Sequence, residues 1–249
     1  MPAALLARRE FHVKLPDAFL EEKTGPVLCD QGGRPLGPRA QSTRVRILDA
    51  TVELLAAKPM RDLRVIDIAR RIGSSPATFY QYFKDVEDVV LHLASRVSEF
   101  TPELVELIEG DWTGREGHAR GRKLAEVVIG HWDRYAPILR VRNNASDEGD
   151  DAFRELRMHA MMPLVHAFTE IIERSQKAAG PIGSDPSSES DDAQWQGGRL
   201  YPAIGAAALA SVLERLSMYH VSIEELGGSR EQLIETLATL LQSMLTSRR

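Results

Sequence analysis

Cysteine is nearly absent. Cys29 is the sole one in 249 residues, so one chain can form no internal disulfide and no cysteine-based metal cluster, and redox chemistry is not expected. No apolar run approaches the roughly 18 to 20 residues that a membrane span needs. The early Ala-Ala-Leu-Leu-Ala stretch is too short, and too soon followed by Arg8, Arg9 and Glu10, to be a signal peptide. A cytoplasmic protein without a membrane partner is the expectation. Catalytic signatures are missing too: there is no Gly-x-Ser-x-Gly, no phosphate-cradling glycine loop, no His-Glu-x-x-His and no persuasive carboxylate pair. His159 and His166 stand seven apart without an acid or third histidine at metal-ligand spacing, so no zinc and no cofactor is expected.

What is present is an ordinary globular composition, 43% hydrophobic and 27% charged, with a net charge of -5. That balance argues against a protein that coats nucleic acid without sequence preference. The charge is unevenly spread. Between Gln41 and Lys84 the basic residues Arg44, Arg46, Lys58, Arg61, Arg64, Arg70, Arg71 and Lys84 face only Asp49, Glu53, Asp62 and Asp67. A basic segment sits on an acidic remainder.

Residues 1–40 are read as a flexible N-terminal arm, because Gly and Pro crowd its second half. From Ser42, apolar residues Val45, Ile47, Leu48, Val52 and Leu55 recur at helical intervals, Ser42 or Thr43 can cap the start, and Pro59 ends the run. A second helix carries Val65, Ile68, Ala69 and Ile72 and stops at Gly73. Ser75 can cap a third, with Pro76 at its first position, and Asp85 marks the break before a fourth that reaches about Phe100. Helical segments follow at about 102–109, 118–138, 149–178, 199–221 and 230–246, and residues 178–198 are polar, acidic and read as a mobile loop. The expected fold is all-α: a small three-helix domain at 41–88 and a larger helical domain at 89–249. No repeat period points to a solenoid.

The segment Gly-Ser-Ser-Pro-Ala-Thr-Phe-Tyr-Gln-Tyr-Phe-Lys, residues 73–84, is the most informative. At 100° per residue, Pro76, Tyr80 and Lys84 share an edge with Ala77 and Gln81 beside it, whereas Phe79, Tyr82 and Phe83 gather opposite. Phe79 and Phe83 suit a core. The other edge bears small residues, a phenol, an amide and an ammonium but no carboxylate, which suits the major groove of a duplex. Helices at 65–72 and 76–83 joined by a short turn have helix-turn-helix spacing. Gln81 can read a base edge, Ala77 and Thr78 can touch a thymine methyl, and Tyr80, Thr78 and Lys84 can hold phosphates.

These residues carry a resemblance. The Arg44-x-x-Ile47-Leu48-Asp49-Ala50 opening, Asp67-Ile68-Ala69, Gly73, and Thr78-Phe79-Tyr80 followed by Tyr82-Phe83 resemble the DNA-binding domain of the tetracycline-repressor (TetR) family. Pro59 stands where that family usually has glycine, Arg64 where a hydroxyl residue usually caps the second helix, and Val86 where many members have a lysine. By the resemblance, Thr43 and Arg44 also meet phosphate. The duplex-facing set is then Thr43, Arg44, Ser75, Pro76, Ala77, Thr78, Tyr80, Gln81, Tyr82 and Lys84. The resemblance further implies a homodimer through helices near 202–220 and 230–246, a near-palindromic double-stranded operator, and a repressor released by a small-molecule effector.

For that effector, a hydrophobic or lipid-like one, the candidate lining is His131, Trp132, Tyr135, Met158, Met161, Met162, His166 and Phe168. Such a stripe is more often core than pocket. Arg142, Arg154 and Arg157 read as solvated charges paired with Asp147, Glu148, Asp150 and Asp151. The arm's basic residues Arg8, Arg9, Lys14, Lys23, Arg34 and Arg39 could extend a DNA footprint. Two rival readings stay open: an all-helical small-molecule-binding enzyme, and a protein-interaction module that ignores DNA.

Overall fold

The computed structural model describes residues 29–179 and 200–246. The residue 178–198 loop reading falls almost wholly outside them, as does most of the N-terminal arm. Among the described residues there are ten α-helices and no strand beyond one isolated bridge between Cys29 and Pro35. The helices are α1 (Pro38–Ala57), α2 (Val65–Arg71), α3 (Pro76–Phe79), α4 (Val86–Ser98), α5 (Thr101–Ile108), α6 (Gly114–Asp147), α7 (Asp151–Ala179), α8 (Pro202–Met218), α9 (His220–Glu225) and α10 (Arg230–Leu245). None of them is long and apolar enough to cross a membrane.

Several boundaries differ from the sequence reading, each for a local reason. The first helix begins at Pro38, inside the stretch read as an arm, because Pro38 occupies the first helical position where its missing N–H leaves nothing unsatisfied. Thr43 therefore lies inside α1, its hydroxyl donating to the Arg39 carbonyl at 3.1 Å. The third helix is one turn long, since the two amides after Tyr80 turn to shorter-range acceptors, Gln81 N–H to Thr78 and Tyr82 N–H to Phe79. The expected segment 118–138 runs from Gly114 to Asp147 and passes through Pro137. Proline there removes a helical hydrogen bond and crowds the carbonyl four residues back, a cost of about 3 kcal/mol that burial of the neighbouring Ile138 and Leu139 helps offset. The expected helix 199–221 is divided at Tyr219 into α8 and α9.

The chain folds into two compact units interleaved in sequence. Among the described residues, the first joins those up to Glu99 with Asp133–Met158; the second joins Phe100–Trp132 with those from His159 onward. In the first unit α2 packs on α1 and α3, and α1 packs on α4. Ile47, Leu48, Val52, Ile68, Phe79, Phe83, Val89 and Leu93 are buried there.

In the second unit α8, α9 and α10 pack on one another, over a core that includes Ile108, Trp112, Leu124, Ile129, Phe168, Leu209, Leu237 and Leu241. Polar links reinforce it. Gln242 donates its amide to the carbonyls of Trp112 and Gly114 at 2.9 and 2.6 Å, while Arg122 of α6 pairs with Glu231 at 2.8 Å and with Glu235 of α10. This approach is close because residue 121 is glycine: a Cβ there would lie 3.0 Å from the Ala238 Cα.

Gly121 and Gly130 sit in the same helix, but a Cβ at Gly130 meets nothing within 4 Å. Gly130→Ala is expected to raise stability by about 0.5–1 kcal/mol through helix propensity. Gly121→Val is expected to lower it by about 1–3 kcal/mol through overpacking against Ala238. Denaturant titrations of both variants check the opposite signs.

Candidate nucleic-acid interface

The second helix ends in a glycine-closed cap. Gly73 is left-handed, with φ of +66°, and its N–H donates to Arg70 while Ser74 N–H reaches back to Ala69 at 2.9 Å. This pattern satisfies the last carbonyls of α2 and turns the chain sharply. Ser75 then caps α3, its hydroxyl accepting from Thr78 N–H at 3.3 Å, with Pro76 next in line. At the start of α2, where Arg64 replaces a hydroxyl cap, the Asp67 carboxylate accepts from Arg64 N–H at 3.1 Å and from the Lys58 ammonium at 2.6 Å. The Lys58 hydrogen bond, followed by that of Arg64, holds the Asp67 carboxyl below its ordinary range. Asp85 closes the far side by accepting from Asp88 N–H at 2.8 Å, and Asp88 accepts from Lys84 N–H at the same distance.

Between these caps the aromatic residues divide as their spacing requires. Phe79 is wholly buried and Phe83 nearly so, with ring centroids 5.9 Å apart. Tyr80 is 52% exposed, its ring edge-on to Phe79 at 5.7 Å. Ser75, Ala77, Gln81 and Lys84 are exposed; Pro76, Thr78 and Tyr82 are half-buried. The expected edge faces solvent.

Arg44 does not. It is 8% exposed, its guanidinium 5.0 Å above the Phe83 ring and 3.0 Å from Nε2 of His92. Instead of meeting phosphate it braces α1 against α4 from within, a position that cation–π attraction to Phe83 favours. Other basic residues of the segment are also committed internally: Arg46 donates to the Ile72 carbonyl, and Arg71 pairs with Glu53 at 2.6 Å. Arg64, Arg70 and Lys84 remain exposed around the turn.

Sequence reading missed one element of this face. The turn between Cys29 and Pro35 docks on the end of α3, where Gln31 N–H donates to the Gln81 carbonyl at 2.9 Å and the Gln31 side-chain amide to the Tyr82 carbonyl at 3.2 Å. Asp30 holds the turn by accepting from Gly32 N–H and Arg34 N–H, each at 2.9 Å. The Arg34 backbone bond leads the causes that keep the Asp30 carboxyl below its usual range. No local pattern signals a pairing across fifty residues; only the Gly-Gly turn hints that the segment is shaped.

The eight effector-lining candidates have differing surroundings. Trp132 and Phe168 are core residues, Met158 and His166 are exposed, Tyr135, Met161 and Met162 are half-buried, and His131 stacks on Phe100 at 4.7 Å. Neither cavity described in the chain is lined by any of them. Arg154 and Arg157 pair with Asp151 and Asp147 at 2.7 and 2.8 Å as expected. Arg142, read as solvated, is instead 5% exposed and donates to the Asn143 side chain at 3.1 Å. Among the described residues no group of three or more His, Cys, Asp or Glu is placed to hold a metal.

A capped helix-turn-helix with a solvent-facing second helix, followed by a larger helical body, defines a class of DNA-binding regulators. Comparison with known proteins agrees. Residues 47–93 match the family described as bacterial regulatory proteins, tetR family, and residues 104–249 match the tetracyclin repressor-like C-terminal domain. The chain belongs to the TetR family. Among curated relatives it is 32% identical over 89 residues to a fatty acid metabolism regulator protein of Bacillus subtilis, spanning 35% of this chain and 43% of the relative. It is 37% identical over 67 residues to the transcriptional regulator EthR of Mycobacterium tuberculosis, 27% of this chain and 31% of that one. The chain thus spans less than half the length of these relatives.

Similar solved structures include a fatty acid degradation regulator FadR from Bacillus halodurans, with a TM-score of 0.57 and 16% identity over 86% of this chain and all of that one. FadR from Bacillus subtilis in complex with stearoyl-CoA gives 0.51 and 16% over 80% of this chain and 97% of that one.

Gln31→Pro removes the backbone donor to Gln81 and the side-chain donor to Tyr82 together, whereas Gln31→Ala removes only the second. Amide hydrogen exchange at Tyr82 and Phe83 is expected to accelerate most in Gln31→Pro, less in Gln31→Ala, and to stay unchanged in α6 in both.

Proposed function

We propose that this protein is a DNA-binding transcriptional regulator that reads a near-palindromic operator as a homodimer and represses until a hydrophobic, lipid-like effector releases it. One observation carries the reading: the Pro76, Tyr80, Gln81 and Lys84 edge faces solvent while Phe79 and Phe83 anchor its back in the core. A helix held this way offers base-edge and phosphate contacts with no acid to repel the duplex. Membership of a family of bacterial regulators supports it. The lipid-like effector draws support from the fatty acid regulator among the relatives and from the stearoyl-CoA held by FadR of Bacillus subtilis.

Dimer formation through α8 and α10 is favoured by what those helices leave uncovered. Ile204 is 71% exposed, Val212 and Leu240 are also exposed, and the small residues Ala207, Ala208 and Ser211 lie between. A flat face of small side chains flanked by aliphatic ones allows two copies to approach closely around a two-fold axis.

DNA selected from a random pool by the purified protein supplies an operator for fluorescence anisotropy. Tyr80→Ala is expected to weaken that operator by about 1–3 kcal/mol with helical content unchanged, and Lys84→Ala to reduce the salt slope by about one. Equal affinity and equal slope in both variants, or no retention of any duplex at low salt, would favour the protein-interaction reading instead.

Val212→Glu combined with Leu240→Glu is expected to leave a folded monomer in sedimentation velocity, with operator affinity lost along with the second reading head. A variant that still sediments as a dimer would place the subunit contact elsewhere.

A further inference from the structure

A cleft of about 270 Å³ opens within the first unit, between the end of α1 with the turn that follows it and the second half of α6. Its walls come from two segments about 80 residues apart in the chain. Leu55, Pro59 and Met60 form one side; Pro137, Val141 and Ala145 form the other. Pro59 is the residue that departs from the family's usual glycine, and it lies in this wall. At a helical spacing of four, Arg140, Asn144 and Glu148 make a polar stripe beside the apolar one, and Arg61 adds a second guanidinium from the opposite side.

The charges decide what the cleft suits. Elsewhere in the chain Arg71, Arg122, Arg154 and Arg157 are paired with carboxylates. Arg61 and Arg140 have no hydrogen-bond or ion-pair partner among the described residues, although both border the same apolar space. Two guanidiniums against the one Glu148 carboxylate leave a net positive rim. Guanidinium forks are matched to a carboxylate, which they hold in bidentate fashion. The walls are apolar along the cleft and charged at its rim, which suits an amphipathic molecule with an apolar body and an anionic head.

We propose that this cleft binds a small monocarboxylate with an apolar body, its head between Arg61 and Arg140 and its tail against Pro59, Met60, Pro137 and Val141. Such an occupant touches both the turn leading into the helix-turn-helix and α6. It is a second ligand site, separate from the lipid-like effector proposed above.

The test uses the full chain without DNA, so its failure leaves the regulator reading standing. Isothermal titration calorimetry with octanoate, compared with 1-octanol, probes head and tail separately. Octanoate is expected to bind, and 1-octanol to bind at least about tenfold more weakly for want of the charge-assisted hydrogen bonds. Arg61→Gln and Arg140→Gln are each expected to weaken octanoate about tenfold, and the double variant to abolish measurable binding, with circular dichroism unchanged because both residues are exposed. Ala136→Phe, which fills the cleft from a half-buried position, is expected to exclude octanoate while both arginines remain. Absence of octanoate binding, octanol binding as tightly as octanoate, or undiminished octanoate affinity in the double arginine variant would each overturn the proposal.

Discussion

The burial of Phe79 and Phe83 is the constraint on which the reading face depends. A helix of one turn has no stability of its own, since nucleation fixes several dihedral angles for a single hydrogen bond. α3 exists because two aromatic anchors, four residues apart, are inserted into the core formed by α1, α2 and α4. Full burial of each such side chain contributes about 1.5–3 kcal/mol. The Ser75 cap in front and the Gln31 donors behind satisfy backbone groups that the short helix leaves open. Anchors, cap and clamp together fix which edge points outward, and Tyr80, Gln81 and Lys84 follow from that orientation.

The basic segment is consumed from the inside before it meets any partner. Arg44 lies over Phe83, Arg46 reaches the Ile72 carbonyl, Lys58 closes the start of α2 through Asp67, and Arg71 pairs with Glu53. Half of the eight cations therefore hold the small domain together. Those left exposed around the turn, Arg64, Arg70 and Lys84, are few.

Helix type and the reading helix were legible because both are written locally. Apolar spacing placed α1, α2 and α4, and the Gly73, Ser75, Pro76 and Asp85 signals marked the turns that the structure shows. What the sequence hid falls into two kinds. Pro38 lies in a stretch read as too rich in Gly and Pro for a helix, yet it starts one, because proline costs nothing at a first position; and the segment expected to end just past Pro137 continues to Asp147. The other kind is pairing at a distance. The burial of Arg44 against His92, the hold of Gln31 on Gln81, and the facing of Pro59 and Pro137 across one cleft join residues about fifty or more apart, where periodicity carries no information. Bulky residues at helical intervals mark a buried face without saying whether a hollow lies behind it, and Trp132 and Phe168 are buried as such spacing requires.

The interleaving of the two units has an evolutionary reading. The helix-turn-helix unit takes in residues 133–158 from the middle of the larger helical region, so a recombination event that cut near residue 99 would inherit a reading head stripped of Ile138, Leu139 and Phe153, all buried in that unit. A new surface along the exposed edge of α3 is then reached more easily by point substitution than by transplanting the unit. The exposed edge of α3 is a few residues of surface, while its support draws on two stretches of chain separated by Phe100–Trp132.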